Sequence, residues 1–335
     1  MPTIRDVAKA AGVSHTTVSL VMNKDPRVSE PTRIKVNAAI AAMGFVPDAT
    51  ARKLASGRTG VVAAVIPQLG SAFSVQALRG IEAGLVGSGM DLQIHSGLDY
   101  HAEGSLKSRR TDVAEKIFAS RKADAVILVT GHTGETVRRE GASAKIPLIA
   151  VEESNAFDHA VLFDNVAAGR LGIEHLQSLG RKRIAVVLGD SRHMSTQIAR
   201  LKGIKEAYAA KKQKFSEQDL FTVYQHHMEE GRQLWERLSS ARPAYDAIFC
   251  AAGDMVALGL MAEASAKGVR IPEDIALLGL DDQEAAAAVG LSTIEQPMRT
   301  MGRRASELAL DALAGKIKAP VIEIFQPRLV LRRSA

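Results

Sequence analysis

Near the amino terminus, residues 3–23 read TIRDVAKAAGVSHTTVSLVMN. Apolar residues recur here at the i, i+3, i+4, i+7 spacing of one helix face: Ile4, Val7, Ala8 and Ala11. Thr3 and Asp6 have the spacing of a capping box, and Gly12 follows the last apolar residue, where helices commonly end. We therefore predict a short helix that ends at Gly12.

A second helix is expected after a three-residue turn. Ser14 can cap this helix, while Val18 and Val21 face the first one. Its outward positions carry mostly hydrogen-bonding side chains: His15, Thr16, Thr17, Ser19 and Leu20. Helix, short turn and helix make the unit whose second helix enters the major groove of DNA, so the pattern predicts a DNA-binding head.

A third helix is expected from Ser29 to Gly44, with Pro31 in its first turn and an apolar face that completes a small core. Residues 48–55 follow it. They are fewer than the roughly 12 to 15 residues at which an isolated helix is marginally stable in water. We predict that this segment is a linker that becomes helical only when other groups hold it.

Positive charge is concentrated in the head. Residues 1–58 hold nine Lys and Arg against four Asp and Glu, a net of +5, whereas the other 277 residues have a net charge of +1. A basic domain on a near-neutral body favours contact with a polyanion. A solvated basic face is the alternative interpretation of the charge alone.

Composition sets wider limits. With 335 residues, 46 % hydrophobic and 24 % charged, the chain is long enough for more than one domain. Its single cysteine, Cys250, excludes an intrachain disulfide and a multi-thiolate metal site. Charged residues at the amino terminus and the lack of any apolar run of about 18 residues argue against a signal peptide and a membrane span. We expect a soluble, cytoplasmic protein without membrane contact.

Beyond Gly60, apolar runs alternate with amphipathic stretches. The predicted strands are residues 61–66, 92–95, 125–129, 148–151, 184–188, 247–250, 275–278 and 328–332. The segments between them are mostly long enough for crossover helices, which is typical of parallel sheets covered on both faces. This length of chain favours an α/β body of two doubly wound lobes over one very large sheet.

The head resembles a known family. Its motif is TIxDVAxxAGVSxxTVS over residues 3–19, then Asn23, VSxxTRxxV over residues 28–36 and GFxP over residues 44–47. On these positions the chain is similar to the lactose repressor/galactose repressor family. Motifs of the body extend the resemblance, among them RGIE at 79–82, ARxxG at 199–203 and GxDD at 279–282.

The resemblance implies a fold for the body like that of periplasmic sugar-binding proteins, with two lobes joined by three crossovers and a small effector in the cleft. We expect a helix-turn-helix domain at 1–47, a hinge at 48–59 and an effector-binding and dimerisation domain at 60–335. Lobe 1 would comprise about 60–161 and 293–322, and lobe 2 about 162–292 and 323–335. The crossovers would lie near residues 162, 292 and 323.

For DNA, the resemblance makes residues 14–23 the recognition helix, with His15, Thr16 and Leu20 facing base edges. Phosphates would be held by Thr3, Ser14, Thr17, Ser19, Asn23, Ser29 and Thr32, whose polar groups suit that role; as isolated residues they would be caps or solvated side chains. Leu20 stands where the family often has arginine, so only apolar contact is expected there. Ala51 and Leu54 match the hinge, where Leu54 would wedge into the minor groove. Packing of Leu54 beneath the body is the alternative.

For the effector, the resemblance implies Arg200 as the anchor, because a guanidinium fork grips hydroxyls, carboxylates or phosphates; an exposed helix arginine is the alternative. Asp281 follows a strand at the carboxyl end, where open α/β sheets bind ligands, unless it belongs to a polar turn. The other candidates are Phe73, which could equally be a core residue, Asp254, and Glu152 and His226, each of which could instead be structural. Gly253 replaces a hydrogen-bonding side chain of the family.

Other classes of function fit poorly. No dinucleotide fingerprint, Walker loop or nucleophile elbow is present, and His226 and His227 lack a metal-ligand spacing, so we expect no enzyme, cofactor or metal site. A sugar-binding protein without a DNA function is the remaining alternative. We predict a ligand-responsive repressor that binds a palindromic operator as a homodimer. A sugar, sugar acid, nucleoside or phosphosugar would suit the cleft.

Overall fold

The computed structural model describes residues 2–22, 25–45, 58–100, 106–108, 110–129, 134–152, 157–190, 194–241 and 244–335. The chain divides into two compact units, residues 1–59 and 60–335. The predicted hinge, apart from residues 58 and 59, lies outside the described residues. The first unit is called the head below and the second the body.

The head contains helices α1 (Ile4–Ala11), α2 (His15–Met22) and α3 (Glu30–Met43). Thr3 and Asp6 form the predicted capping box, and Gly12 ends α1 with a φ of 64°. The Ser14 hydroxyl accepts the Thr17 backbone N–H at 3.0 Å at the start of α2. The helices share one core made of Val7, Ala8, Val18, Val21, Val36 and Phe45. The predicted helix-turn-helix and third helix are confirmed.

The body contains fourteen strands in the described part of the chain: β1 (Val61–Ile66), β2 (Asp91–Ser96), β3 (Leu98–Tyr100), β4 (Leu106–Ser108), β5 (Ala125–Val129), β6 (Leu148–Val151), β7 (His159–Phe163), β8 (Ile184–Leu188), β9 (Leu220–Thr222), β10 (Ala247–Cys250), β11 (Ala276–Asp281), β12 (Ser292–Glu295), β13 (Val321–Phe325) and β14 (Arg328–Val330). Its helices are α4 (Ala72–Leu85), α5 (Arg110–Ser120), α6 (Gly134–Ala144), α7 (Asn165–Ser178), α8 (Ser195–Ala210), α9 (Met228–Ser239), α10 (Asp254–Ala266), α11 (Glu284–Val289) and α12 (Met298–Leu313).

Two six-stranded sheets form the two lobes. The order is β13-β7-β6-β5-β1-β2 in lobe 1 and β14-β12-β11-β10-β8-β9 in lobe 2. Pairing is parallel except that β14 runs antiparallel to β12 and that β3 and β4 form a separate antiparallel pair. The doubly wound α/β fold is confirmed, while the last strand adds an antiparallel edge.

The chain crosses between the sheets later than expected. It leaves the lobe 1 sheet after Phe163, returns after Glu295 and leaves again after Phe325, whereas crossings near 162, 292 and 323 were predicted. The second and third crossings come two to three residues after the predicted positions, because β12 pairs with β11 in lobe 2 and β13 pairs with β7 in lobe 1. Neither strand was predicted. In β13, exposed side chains alternate with half-buried ones, so it does not present a continuous apolar run.

Close packing of α7 on α8 sets the position of the residues that follow. A Cβ on Gly169 of α7 would overlap with the backbone of Arg200 on α8, so only glycine permits this approach of the two helices. Strands β5, β8 and β10 are buried along their whole length, as expected of sheets covered on both faces. Within the described residues, no helix is long and apolar enough to span a bilayer.

Candidate functional site

The head presents its predicted DNA contacts on its surface. All the predicted residues that the structure describes are at least partly exposed: Thr3, Ser14, His15, Thr16, Thr17, Ser19, Leu20, Ser29 and Thr32. Asn23, Ala51 and Leu54 lie outside the described residues. Hydroxyl pairs stand at two helix starts, with Ser14 and Thr17 at 2.9 Å and Ser29 and Thr32 at 2.9 Å. The amino-terminal ends of helices suit phosphate oxygens.

In the body, Arg200 is the centre of a buried polar network. Its side chain is only 5 % exposed, so it is no surface helix arginine. Nε donates to Asn165 Oδ1 at 2.7 Å, one terminal nitrogen donates to the Ala251 carbonyl at 2.7 Å, and the other donates to Gln296 Oε1 at 3.1 Å. Asn165 follows the first crossover and Gln296 lies at the second. Arg200 therefore ties lobe 2 to two of the connections between the lobes.

Glu152 joins the same network from lobe 1. Its carboxylate accepts the Phe163 backbone N–H at 2.8 Å and the Asn165 side-chain amide at 3.1 Å. Burial raises the pKa of Glu152, and the nearby Arg200 charge opposes that shift. Both oxygens of Glu152 therefore have partners within the protein. Asn165 is hydrogen-bonded to Glu152 of lobe 1 and to Arg200 of lobe 2, so it connects the two lobes.

Asp281, at the end of β11, interacts electrostatically with Arg200. Its own φ is 119°, a strained value for a residue other than glycine. Gly253 makes room for it, because a Cβ there would lie 2.9 Å from Asp281 Oδ2. Asp281 Oδ2 therefore lies next to the place that a side chain at residue 253 would occupy. Arg200 and Asp281 place a cation and a carboxyl side by side.

Asp254 differs from the expectation. It is fully buried, and its two oxygens accept the Thr293 hydroxyl at 2.7 Å and the Gln283 backbone N–H at 2.8 Å. Its hydrogen bonds join α10 to the loop after β11 and to β12, which indicates a supporting position. Phe73 is half-buried and packs against the hydrophobic core, which agrees with the alternative that it is a core residue.

His226 lies close to the network. Its Nδ1 is 2.8 Å from the Ala252 carbonyl, next to the Ala251 carbonyl that Arg200 holds. Burial lowers the pKa of His226, so the imidazole is neutral near pH 7. Arg200, Asp281 and His226 stand at the carboxyl ends of strands or on the segments beyond them, where a ligand of an open sheet binds.

A cavity of about 210 Å³ opens beside Asp281 and Gln296. Its lining is Gln76 of α4 with residues 281–284 and 295–300, so both lobes and a crossover contribute. Three of its four carboxylates have arginine partners: Asp282 with Arg332 at 2.7 Å, Glu284 with Arg79 at 3.0 Å and Glu295 with Arg328 at 2.7 Å.

Sequence reasoning missed two members of the network. Asn165 lies in the run DNVAAG at 164–169 and Gln296 directly before Pro297, and neither was predicted as a residue of the cleft. The Gln296 side chain helps to lower the pKa of Glu152, so it lies close to that carboxylate.

Asp281 gives the body a pH-dependent stability. Burial, together with the carboxylate of Asp254, raises the pKa of Asp281 above its ordinary value of 3.8, while Arg200 opposes the shift. Above about pH 4 the unfolded chain loses this proton first, so the folded state binds more protons and the free energy of unfolding falls as pH rises. We expect Asp281→Asn to remove up to about 1.4 kcal/mol per pH unit of this decline, measured by urea unfolding between about pH 4 and pH 8.

Asp274→Asn is the control for that measurement. Hydrogen bonds from Arg270 hold the pKa of the exposed Asp274 at about 2, and its ordinary value is 3.8, so above about pH 5.5 Asp274 is ionised in both states. Its replacement should leave the slope between about pH 5.5 and pH 8 unchanged. A slope for Asp281→Asn equal to that of the wild type would mean that Asp281 is ionised in the folded protein.

Two family models match the chain. Residues 3–48 match the bacterial regulatory proteins of the lacI family, and residues 173–335 match the periplasmic binding protein-like domain. The transcriptional regulator DegA of Bacillus subtilis (strain 168) is 32 % identical, over 99 % of this chain and 97 % of DegA. CelR of Thermobifida fusca is 29 % identical, over 99 % of this chain and 98 % of CelR.

Solved structures agree with these relatives. A complex of the transcriptional regulator CelR with cellobiose has a TM-score of 0.71 at 26 % identity, covering 100 % of both chains. A lac repressor dimer bound to operator and the anti-inducer ONPF has a TM-score of 0.85 at 24 % identity, over 99 % of this chain and 98 % of that one, which supports the fold. The relatives are regulators and not enzymes. The chain therefore belongs to the lacI family of bacterial regulatory proteins and is a helix-turn-helix transcriptional regulator.

Proposed function

We propose that the protein represses transcription by binding a palindromic operator as a homodimer, and that a small metabolite in the cleft changes its operator affinity. The observation that carries this proposal is the position of Arg200, which is bonded to Asn165 and Gln296 at two crossovers. A ligand that engages Arg200 acts on the connections about which the lobes move. Ligand binding can thereby favour one arrangement of the lobes over another.

Three side chains are proposed to contact the effector. Arg200 and Asp281 offer a donor fork beside a carboxyl, a pair that suits adjacent hydroxyl groups. His226 borders the same place. Glu152 and Asp254 are proposed to support these residues, since their oxygens are bound inside the protein. Cellobiose in the CelR complex favours a sugar.

For DNA, we propose that α2 enters the major groove of each half-site and that Thr3, Ser14, Thr17, Ser29 and Thr32 hold phosphates. Their exposure and the two hydroxyl pairs at helix starts support this assignment. A cytoplasmic location follows from a role in transcription. The lac repressor dimer on operator supports a two-fold complex with two half-sites.

The proposal is tested in two steps with the full chain. Selection from random duplex DNA identifies the operator, and a thermal-shift screen of sugars, sugar acids, nucleosides and phosphosugars identifies metabolites that raise Tm. Each such metabolite is then titrated into the operator complex and followed by fluorescence anisotropy. We expect a palindromic site and at least one metabolite that changes operator affinity. A screen in which no stabilising metabolite alters operator binding would contradict the proposal.

Leu54 carries a separate prediction about the hinge. Inserting a leucine between base pairs costs a few kcal/mol of unstacking, which is offset only at a site where both recognition helices are seated. Leu54→Ala should weaken operator binding and reduce DNA bending, while binding to random DNA at the same salt concentration changes little. Leu54→Met, which keeps an apolar side chain, should retain most of the operator affinity and most of the DNA bending. An equal loss on both DNAs with an unchanged bend would mean that Leu54 only packs the linker.

A further inference from the structure

The turn before α9 is held by one carboxylate. Glu230, in the first turn of α9, accepts the backbone N–H groups of three consecutive residues: Tyr224 at 2.5 Å, Gln225 at 2.8 Å and His226 at 3.0 Å. Hydrogen bonds to an ionised acceptor are about twice as strong as neutral ones. Three of them converging on one group leave this turn little freedom.

The turn places His226 in an unusual conformation. Its φ is 57°, in the left-handed region that residues other than glycine seldom adopt. In this conformation the ring reaches the Ala252 carbonyl, 2.8 Å from Nδ1. A carbonyl oxygen only accepts hydrogen bonds, so Nδ1 of the neutral ring carries the proton and Nε2 keeps its lone pair.

The other ring nitrogen, Nε2, lies beside Gly189. A Cβ on Gly189 would lie 2.8 Å from His226 Nε2, so only glycine at this position leaves room for the ring. The hydrogen bond described for the His226 ring is the one at Nδ1. His226 thus presents a hydrogen-bond acceptor beside the network of Arg200.

We infer that Glu230 is a positioning residue of the cleft: it holds His226 with Nδ1 on Ala252 and Nε2 turned to accept a hydroxyl or N–H group of the effector. The inference rests on the proposed function only in taking the cleft as the effector site. Glu230 itself is not proposed to contact the effector, because both of its side-chain oxygens accept backbone N–H groups of the turn. Its effect on binding passes through the backbone of the turn and the ring of His226.

Glu229 provides a matched control. It has the same charge, lies in the same turn of α9 and is exposed, and its side chain accepts only from Gln233, at 3.3 Å, among the contacts described. Glutamine at either position keeps the shape of the side chain. At position 230 its amide nitrogen cannot accept, so the three backbone N–H groups cannot all keep their partner.

Crystal structures of the ligand-free full chain give the direct test. We expect Glu230→Gln to release the turn, so that Nδ1 of His226 moves beyond hydrogen-bond range of the Ala252 carbonyl, about 3.5 Å. Glu229→Gln should keep the wild-type ring position. A Glu230→Gln structure with His226 unmoved would overturn the inference and leave Glu230 as a residue of α9 alone.

Thermal unfolding tests the same coupling in solution. Glu230→Gln should lower Tm by roughly 3 °C. In a His226→Gly background the loss should be at most about half as large, because glycine adopts the left-handed conformation without support. Equal losses in both backgrounds would overturn the inference. Neither measurement uses a metabolite or DNA, so failure of the proposed function would appear separately, in the screen and the operator titration.

Discussion

Replacing Arg200 by alanine should destabilise the body and remove the effector response. Three buried acceptors lose their donor: Asn165, the Ala251 carbonyl and Gln296. The carboxyl groups of Glu152 and Asp281 also lose the neighbouring positive charge. Removing one partner of a buried charged network costs about 3 to 5 kcal/mol. Urea unfolding of the full chain measures this loss directly.

The Arg200→Ala variant should also bind the effector with lower affinity. A lost charge-assisted hydrogen bond costs about 1.5 to 3 kcal/mol, which corresponds to roughly 10- to 150-fold in affinity. Arg200→Lys keeps the charge but lacks the planar fork, so it should be less destabilised and still bind the effector weakly. Operator binding without effector should persist in both variants, because the head has its own core.

Arg170→Ala is the matched control on α7. Arg170 is half-exposed and its ion pairs with Glu174 and Glu206 are long, at 4.0 and 3.9 Å. Such surface pairs contribute at most about 1 kcal/mol, so this variant should resemble the wild type in both assays. If Arg200→Ala had wild-type stability and a wild-type response, the network would not be the effector anchor.

The strands that the sequence predicts to the residue are the central ones. Residues 61–66, 125–129, 148–151, 184–188 and 247–250 agree with β1, β5, β6, β8 and β10. Covered on both faces, these strands appear in the sequence as continuous apolar runs. Strands near the edges, such as β9 and β13, are half-exposed, and their apolar residues do not form such a run. The shifted second and third crossovers follow from the missed strands β12 and β13.

The candidate site, like the fold, contains some residues that the sequence predicts and others that it does not. Arg200 and Asp281 were predicted because charged residues at fixed motif positions are visible in a sequence. Asn165 and Gln296 meet Arg200 across 35 and 96 residues of chain, and no local pattern indicates such contacts. Asp254 shows the reverse case: its position matched, but tertiary packing occupies both of its oxygens.

A point change inside the head should separate the two units of the chain. Val18 is fully buried in the head core, so Val18→Asp places an unpaired carboxylate there, which unfolds a small domain of marginal stability. Operator binding should be lost, while the unfolding transition of the body stays unchanged. Calorimetry of the full chain detects both. A loss of the body transition would show that the body depends on the head for its fold.

A fragment of residues 60–335 should lose operator binding entirely while keeping the body's response to the effector. Nearly all of the net positive charge, +5 of +6, lies in residues 1–58, so the fragment lacks both the recognition helix and the attraction to phosphates. Specific binding usually exceeds nonspecific binding by about 10³- to 10⁷-fold, and the fragment should forfeit all of that margin. Anisotropy with operator and random DNA at one salt concentration measures this loss of specific binding, with the full chain as reference.

The body has its own two sheets and cores, so the metabolites that raise the Tm of the full chain should also raise the Tm of the fragment. Operator binding by the fragment would place the DNA-reading residues in the body, and a lost metabolite response would show that the head contributes to the effector site.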